Sequence, residues 1–360
     1  MSLKTSISRL ARPEIVAMKP YSSARSEAPG EGVLLNANES PWSLLPDCRL
    51  NRYPEPQPEL LISRLAKLYR VGPEQLLVTR GSDEGIDLLT RVFCRAGEDA
   101  IVQCTPAFGM YRIAALTQGA DIISIPRLVE ENFNMDTGKL LETIETDTRI
   151  KLVFLTTPNN PTGDSIDKGV LLEILEAANG KALVVVDEAY AEFSTKDSFS
   201  PLVSEYNNLV VLRTLSKAWA GAGLRCGTVI AQHEVIALLG RIIAPYPLAT
   251  PVVELAERLL DPEILTLQQR LLKALTTNKQ RLLRMLEAQG YITDIWPGDA
   301  NFILIRLHDA AGLMRHCSNN NVTLRAFNSE PLLQGCIRIS VGSDSDLDAL
   351  ENALTTWKTA

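Results

Sequence analysis

Lys217 closes the apolar run Leu209-Val-Val-Leu-Arg-Thr-Leu-Ser-Lys217, and a lysine so placed is a candidate nucleophile. Burial and a neighbouring cation both lower an ammonium pKa, leaving an amine able to attack a carbonyl. Past a glycine-containing loop, Arg225 offers a fixed cation for a phosphate, and the Ser216 hydroxyl can donate to the same anion. A strand-end lysine by itself is more often a surface charge with its head in water, so the surrounding motifs decide. Asp187 directly follows Leu183-Val-Val-Val186, and a carboxylate after four apolar residues needs a partner when buried. Tyr190 lies just beyond it in Asp187-Glu-Ala-Tyr190. The turn Pro158-Asn-Asn-Pro-Thr-Gly163 aims Asn160 into a crevice. In Gly81-Ser-Asp-Glu-Gly85 a strand gives way to a helix, and the unpaired N–H groups of Ser82 and Asp83 form an anion site. Capping by Ser82 or Asp83, with Glu84 favouring the dipole, is the plainer reading there, and the two can hold together. Phe108, after Pro106, is either a stacking surface for a planar ring or a core residue.

Alternating strands and helices must carry these groups. Leu76–Thr79, 100–103, 122–125, Ile150–Thr156, 181–186 and 209–213 read as buried strands of a mostly parallel sheet, with helices at 58–69, 108–117 and 168–178 between them. In that architecture ligands sit at the carboxyl ends of the strands, where every motif above falls. A strand at 224–231 follows, then a helix from near Pro251 that pauses at Asp261-Pro262. Between 263 and 289, Leu267, Leu271, Leu275, Leu282, Met285 and Leu286 mark one face of a long helix that bridges two domains. The remainder reads as α+β: strands at 291–295, 301–307, 322–325 and 336–341, and helices at 310–319 and 344–356, the last opened by a Ser343-to-Asp346 capping pattern. Arg325 and Arg338 stand out among the apolar residues of these strands. At the N-terminus a short helix around 7–18 precedes an extended arm in which Asn36 and Asn38 are turn formers. Tyr53, held by the prolines that follow it in Asn51-Arg-Tyr-Pro-Glu-Pro56, is either a packing residue or placed to reach outside its own subunit. The expected division is an arm over 1–45, a large domain over 46–262 and a small domain over 263–360.

With 360 residues, 46% of them hydrophobic, the chain can bury a large core. A net charge of -7 without a local basic cluster argues against nucleic acid or an anionic membrane as the main partner. The six cysteines form no CxxC pair and the three histidines have no ligand spacing, so no structural metal is expected. No h-region of a signal peptide and no stretch of about 20 apolar residues is present, and free thiols suit a reducing cytoplasm.

Together, Asn160-Pro-Thr-Gly163, Asp187-Glu-Ala-Tyr190 and Ser216-Lys217 followed by Gly223-Leu-Arg225 resemble the fold-type I aminotransferases dependent on pyridoxal 5′-phosphate. The resemblance covers nearly the whole chain. It narrows towards the histidinol-phosphate branch at Leu35-Asn-Ala-Asn-Glu39, Asn51-Arg-Tyr-Pro54, Gly81-Ser-Asp-Glu84 and Ala244-Pro-Tyr-Pro247. It implies a large α/β domain that binds the cofactor and a smaller α+β C-terminal domain. Lys217 would hold the cofactor covalently and shuttle a proton. Asp187 would pair with the pyridine nitrogen, Tyr190 and Asn160 would bond its ring oxygen, and Phe108 would stack on the ring, where relatives often carry tyrosine. Ser82, Asp83, Ser216 and Arg225 would hold the phosphate, joined by Tyr53 from the second subunit of a homodimer. Arg338 and Arg325, with Tyr21 and Asn36, would bind the substrate. The implied reaction is L-histidinol phosphate with 2-oxoglutarate. A threonine-phosphate decarboxylase, an aromatic aminotransferase and a non-catalytic cofactor-binding regulatory domain are the alternatives. A nucleotide-binding dehydrogenase lacks its GxGxxG after the first strand.

Overall fold

The computed structural model describes residues 6–21, 33–45 and 48–357, and the rest of the expected arm lies outside them. In chain order the elements are α1 (Pro13–Ala17), α2 (Glu59–Tyr69), β1 (Leu76–Thr79), α3 (Ser82–Phe93), β2 (Ala100–Thr105), α4 (Met110–Gln118), β3 (Asp121–Pro126), α5 (Thr137–Thr146), β4 (Ile150–Thr156), α6 (Lys168–Ala177) and β5 (Leu183–Asp187). There follow β6 (Leu209–Thr214), β7 (Gly227–Ala231), α7 (His233–Leu239), α8 (Thr250–Leu259), α9 (Pro262–Glu287), β8 (Ile292–Trp296), β9 (Phe302–Leu307), α10 (Ala310–Asn319), β10 (Arg325–Ala326), β11 (Cys336–Ser340) and α11 (Asp344–Thr356).

Unbroken β-branched runs have both faces buried, and the large sheet shows why. Its seven strands lie in the order β1-β7-β6-β5-β4-β2-β3. From β3 to β6 the pairing is parallel, and β7 runs antiparallel to both β6 and β1. Side chains alternate across a strand, so Val184 and Val186 join one apolar cluster while Leu183 and Val185 join the other. Helices α2 and α6 cover the first face and α3 and α4 the second.

The smaller sheet is antiparallel, ordered β10-β11-β9-β8. One face packs Ile303, Ile305, Ile337 and Ile339 against Leu282 and Leu286 of α9, Leu313 of α10 and Leu347 of α11. Its other face turns Trp296, Leu304 and Cys336 towards Phe133 of the large sheet's side. The expected capping box opens α11, with Ser343 and Asp346 each accepting from the other's backbone N–H.

Four expectations are corrected. The N-terminal helix is split into a 3₁₀ turn at Ile7–Arg9 and α1, because Pro13 can start a helix but not continue one. The strand expected at 322–325 shrinks to Arg325–Ala326, and that expected from Leu224 starts at Gly227, after a 3₁₀ turn and a left-handed Arg225 at φ 54°. In α9 only the C-terminal half of the apolar face is core: Leu282, Met285 and Leu286 are buried, whereas Leu267 and Leu271 are 40% and 50% exposed. Helices α5 and α7 were not read from the sequence at all.

Two glycine contacts tie the chain together where side chains have no room. Gly163 and Gly298, at φ 83° and 50°, meet backbone to backbone, and Asp299 N–H donates to Gly163 O at 2.7 Å, joining the turn after β4 to the small sheet. At Gly227 a Cβ would stand 2.5 Å from the backbone of Gly81 and Ser82, so β7 presses against the start of α3. Substituting Gly227→Ala forces that helix end away, and the expected result is a loss of about 1–3 kcal/mol in urea unfolding, with weakened binding of phosphate-bearing ligands.

Candidate active site

Asp187, the last residue of β5, is buried, with burial pushing its carboxyl up to about 6. Tyr111 Oη donates to its Oδ2 at 2.8 Å and Ala189 N–H donates to Oδ1 at 3.1 Å, and both bonds favour the ionised form without cancelling the desolvation. Among the described residues no cation pairs with it. Tyr111 is itself enclosed, stacked on Phe154 with ring centroids 4.7 Å apart and bonded to the Thr156 hydroxyl at 2.8 Å. Burial, then the Asp187 charge, hold its phenol well above its ordinary pKa, so it remains a donor.

Lys217 emerges from the end of β6 and stays exposed to the cleft. Its ammonium pKa is lowered, first by desolvation, then by the charge of Arg338, with Arg225 adding to the effect and Asp83 and Asp187 opposing it. Its Nζ stands 5.6 Å from the Tyr190 ring centroid. Behind the lysine, Trp219 is buried and donates its Nε1–H to Glu192 at 3.0 Å. Glu192 also pairs with Arg213 of β6, whose other amine holds Glu188 at 2.7 Å. Trp219 therefore braces the loop after Lys217 onto the buried ions beneath the sheet.

At the opposite end, α3 begins on Gly81, which has no side chain to cap it, so the capping reading for Ser82 and Asp83 does not hold. The first-turn N–H groups of Ser82 and Asp83 are left for a ligand. Arg225 reaches over them, donating to Ser216 Oγ at 3.3 Å and to Asp83 Oδ2 at 3.1 Å. Asn160 links the cleft to the small sheet. Its Nδ2 donates to Tyr190 Oη at 3.5 Å and its Oδ1 accepts from Arg338.

Nine sequence candidates line one cavity of about 190 Å³: Ser82, Asp83, Phe108, Asn160, Asp187, Tyr190, Ser216, Lys217 and Arg225. Thr156, Thr214, Ala189 and Ala222 complete its wall. Arg338 and Arg325 do not line it, and Arg338 adjoins it through Asn160. Tyr53 stacks on Tyr246 at 4.4 Å, and its N–H donates to Glu39 at 2.6 Å, away from the cavity. Tyr21 is 72% exposed and Asn36 is also exposed. Tyr111 escaped the sequence reading. It sits one helical turn beyond Phe108 with nothing but that spacing to mark it.

These donors suit pyridoxal 5′-phosphate. The buried carboxylate lacking a cation matches a protonated ring nitrogen, and the uncapped helix start beneath Arg225 matches a phosphate. The model of the aminotransferase class I and II family matches residues 32–354, and the chain belongs to that family of pyridoxal-phosphate enzymes. Curated relatives that it resembles over nearly its full length are histidinol-phosphate aminotransferases. It is 40% identical to the histidinol-phosphate aminotransferase of Cronobacter sakazakii over 97% of this chain and 96% of the relative. The fold matches the histidinol-phosphate aminotransferase of Sinorhizobium meliloti solved in complex with pyridoxal-5′-phosphate, with TM-score 0.77 and 23% identity over 85% of this chain and 82% of that one. It also matches an L-threonine-O-3-phosphate decarboxylase from Porphyromonas gingivalis, with TM-score 0.72 and 23% identity over 85% and 90%. No helix among the described residues is long and apolar enough to cross a membrane.

If Asp187 must be ionised to take the cofactor, affinity for it rises with pH through about 6. Removing the Tyr111 hydroxyl removes a bond to the charged form, so Tyr111→Phe should move that midpoint upward by about one unit, read by cofactor titration across pH.

Proposed function

We propose that this aminotransferase moves the amino group of L-histidinol phosphate to 2-oxoglutarate in the cytoplasm, giving imidazole acetol phosphate and L-glutamate. The observation that carries the choice of substrate is the placement of Arg325 and Arg338 as direct partners across β10 and β11, with Arg338 reaching Asn160 at the edge of the cleft. Two cations held side by side suit a distal phosphate dianion. The full-length likeness to the Cronobacter sakazakii relative supports the same choice.

When bound, pyridoxal 5′-phosphate supplies an electron sink for charge developing at the amine-bearing carbon. The chain's own groups then have separable tasks. Ionised Asp187 holds the proton on the ring nitrogen, with Tyr111 keeping the carboxylate oriented. Asn160 and Tyr190 hydrogen-bond the ring oxygen, and Phe108 covers one ring face. Ser82 and Asp83 N–H, the Ser216 hydroxyl and Arg225 bind the cofactor phosphate. Lys217, its pKa lowered, would accept the proton of the amine-bearing carbon on its Nζ. Arg325 and Arg338, with Tyr21 and Asn36 of the arm, take the substrate's distal phosphate and, in the second half-reaction, a carboxylate of 2-oxoglutarate. In this proposal 46–262 form the cofactor-holding domain, 263–360 the small domain and 1–45 the arm. Tyr53 reaches the cofactor phosphate of a second copy in a homodimer, consistent with its 48% exposure and distance from its own cleft.

The decarboxylase reading shares this fold, and the bond that breaks separates the two. The loaded enzyme should convert L-histidinol phosphate to its keto product in a single turnover and release no carbon dioxide from L-threonine phosphate, with the opposite pattern overturning the assignment. Lys217→Ala should lower the transamination rate by about ten-thousand-fold while the protein stays folded.

A further inference from the structure

Arg325 and Arg338 are Cα partners in an antiparallel pair, so their like charges share one face of the small sheet, an arrangement that is destabilising on its own. Neither is paired with a carboxylate among the described residues. Aromatic faces meet them instead. The Arg338 guanidinium lies 5.1 Å from the Phe302 centroid and 5.8 Å from that of Phe327, and the Arg325 guanidinium lies 5.8 Å from the same Phe327 ring. One ring therefore serves both cations, its negative π face offsetting part of their repulsion.

The two arginines depend on that ring unequally. Arg338 is half-buried and also held by Asn160 and Phe302, whereas Arg325 is exposed and has Phe327 as its ring contact. Phe327 is itself fixed, packed on the cluster of Phe133, Trp296, Leu304, Leu333 and Cys336 where the small sheet meets the large one. Anchored at that junction, the ring sets where Arg325 can stand.

We propose that Phe327 is a specificity-determining residue, which by holding Arg325 beside Arg338 favours substrates ending in a phosphate dianion over those ending in a single carboxylate. The proposal rests on the reading that this arginine pair takes the distal anion. A dianion engages both guanidinium groups. A carboxylate reaches the same pair but depends chiefly on Arg338, which keeps its Asn160 and Phe302 supports when Phe327 is lost.

The test is single-turnover kinetics of the cofactor-loaded enzyme with L-histidinol phosphate and, separately, with L-glutamate, for Phe327→Leu, Phe327→Tyr and Arg325→Ala. Leucine keeps the apolar packing and removes the π face; tyrosine keeps both. For Phe327→Leu the apparent Kd for L-histidinol phosphate should rise about 5- to 30-fold with its maximal rate unchanged, while that for L-glutamate moves less than about 3-fold. Phe327→Tyr should behave as the unsubstituted enzyme, which separates a π contact from a merely structural role. If Arg325→Ala weakens L-histidinol phosphate but Phe327→Leu shifts both substrates equally or neither, the role of Phe327 is overturned and the arginine pair stands. If Arg325→Ala leaves L-histidinol phosphate unaffected, the arginine-pair reading fails and this inference with it.

Discussion

A carboxylate buried at the end of a parallel strand, with a phenol and one backbone N–H for partners and no cation among the described residues, is unfavourable at neutral pH, and the fold keeps one at Asp187. The surroundings explain how it is tolerated. Val184, Val185 and Val186 draw β5 into the centre of the sheet, leaving Asp187 2% exposed in the wall of the cleft. Tyr111, locked by Phe154 and Thr156, supplies the strongest bond available to it. The chain thus carries a negative charge awaiting a bound cation, and a protonated pyridine nitrogen is such a cation. The cationic groups stand apart from it: Lys217 and Arg225 across the cleft, Arg338 on the small sheet.

The two sheets have different tasks in this arrangement. The large sheet brings the cofactor groups to one edge because parallel strands deliver their carboxyl ends together. The small sheet contributes Arg325 and Arg338, and its position is set by the backbone contact of Gly163 with Gly298, by the Tyr190 and Phe302 rings at 5.3 Å, and by Arg338 on Asn160. Asn160 thus faces the Tyr190 hydroxyl on one side and Arg338 of the small sheet on the other.

Much of this was legible in the sequence because it depends on local pattern. Apolar runs of four to seven residues located the central strands, and polar residues at or within four positions of their ends located Asp187, Asn160 and Lys217. Helix α10 and the capping box of α11 followed from periodicity and one Ser/Asp spacing. What could not be read depends on contacts between distant segments. Tyr111 looks like any aromatic on a helix until α4 is packed against β4 and β5. Phe327 lies in a turn-like stretch, and only the pairing of β10 with β11 puts its ring against two arginines. Leu267 and Leu271 continue the apolar face of α9 in sequence but run past the core that buries its other half.

If Asp187 costs the cofactor-free protein stability, the cost shows in its unfolding free energy against pH, measured for the natural chain and for Asp187→Asn. A carboxyl whose folded pKa is raised to about 6 from an unfolded value of 3.8 stabilises the fold below pH 4 and loses that contribution as pH rises through 6. The natural chain should therefore fall relative to Asp187→Asn by about 3 kcal/mol between those limits, and be the less stable of the two at pH 7. A natural chain that is more stable than Asp187→Asn at pH 7, with no change in the difference across that window, would contradict the account.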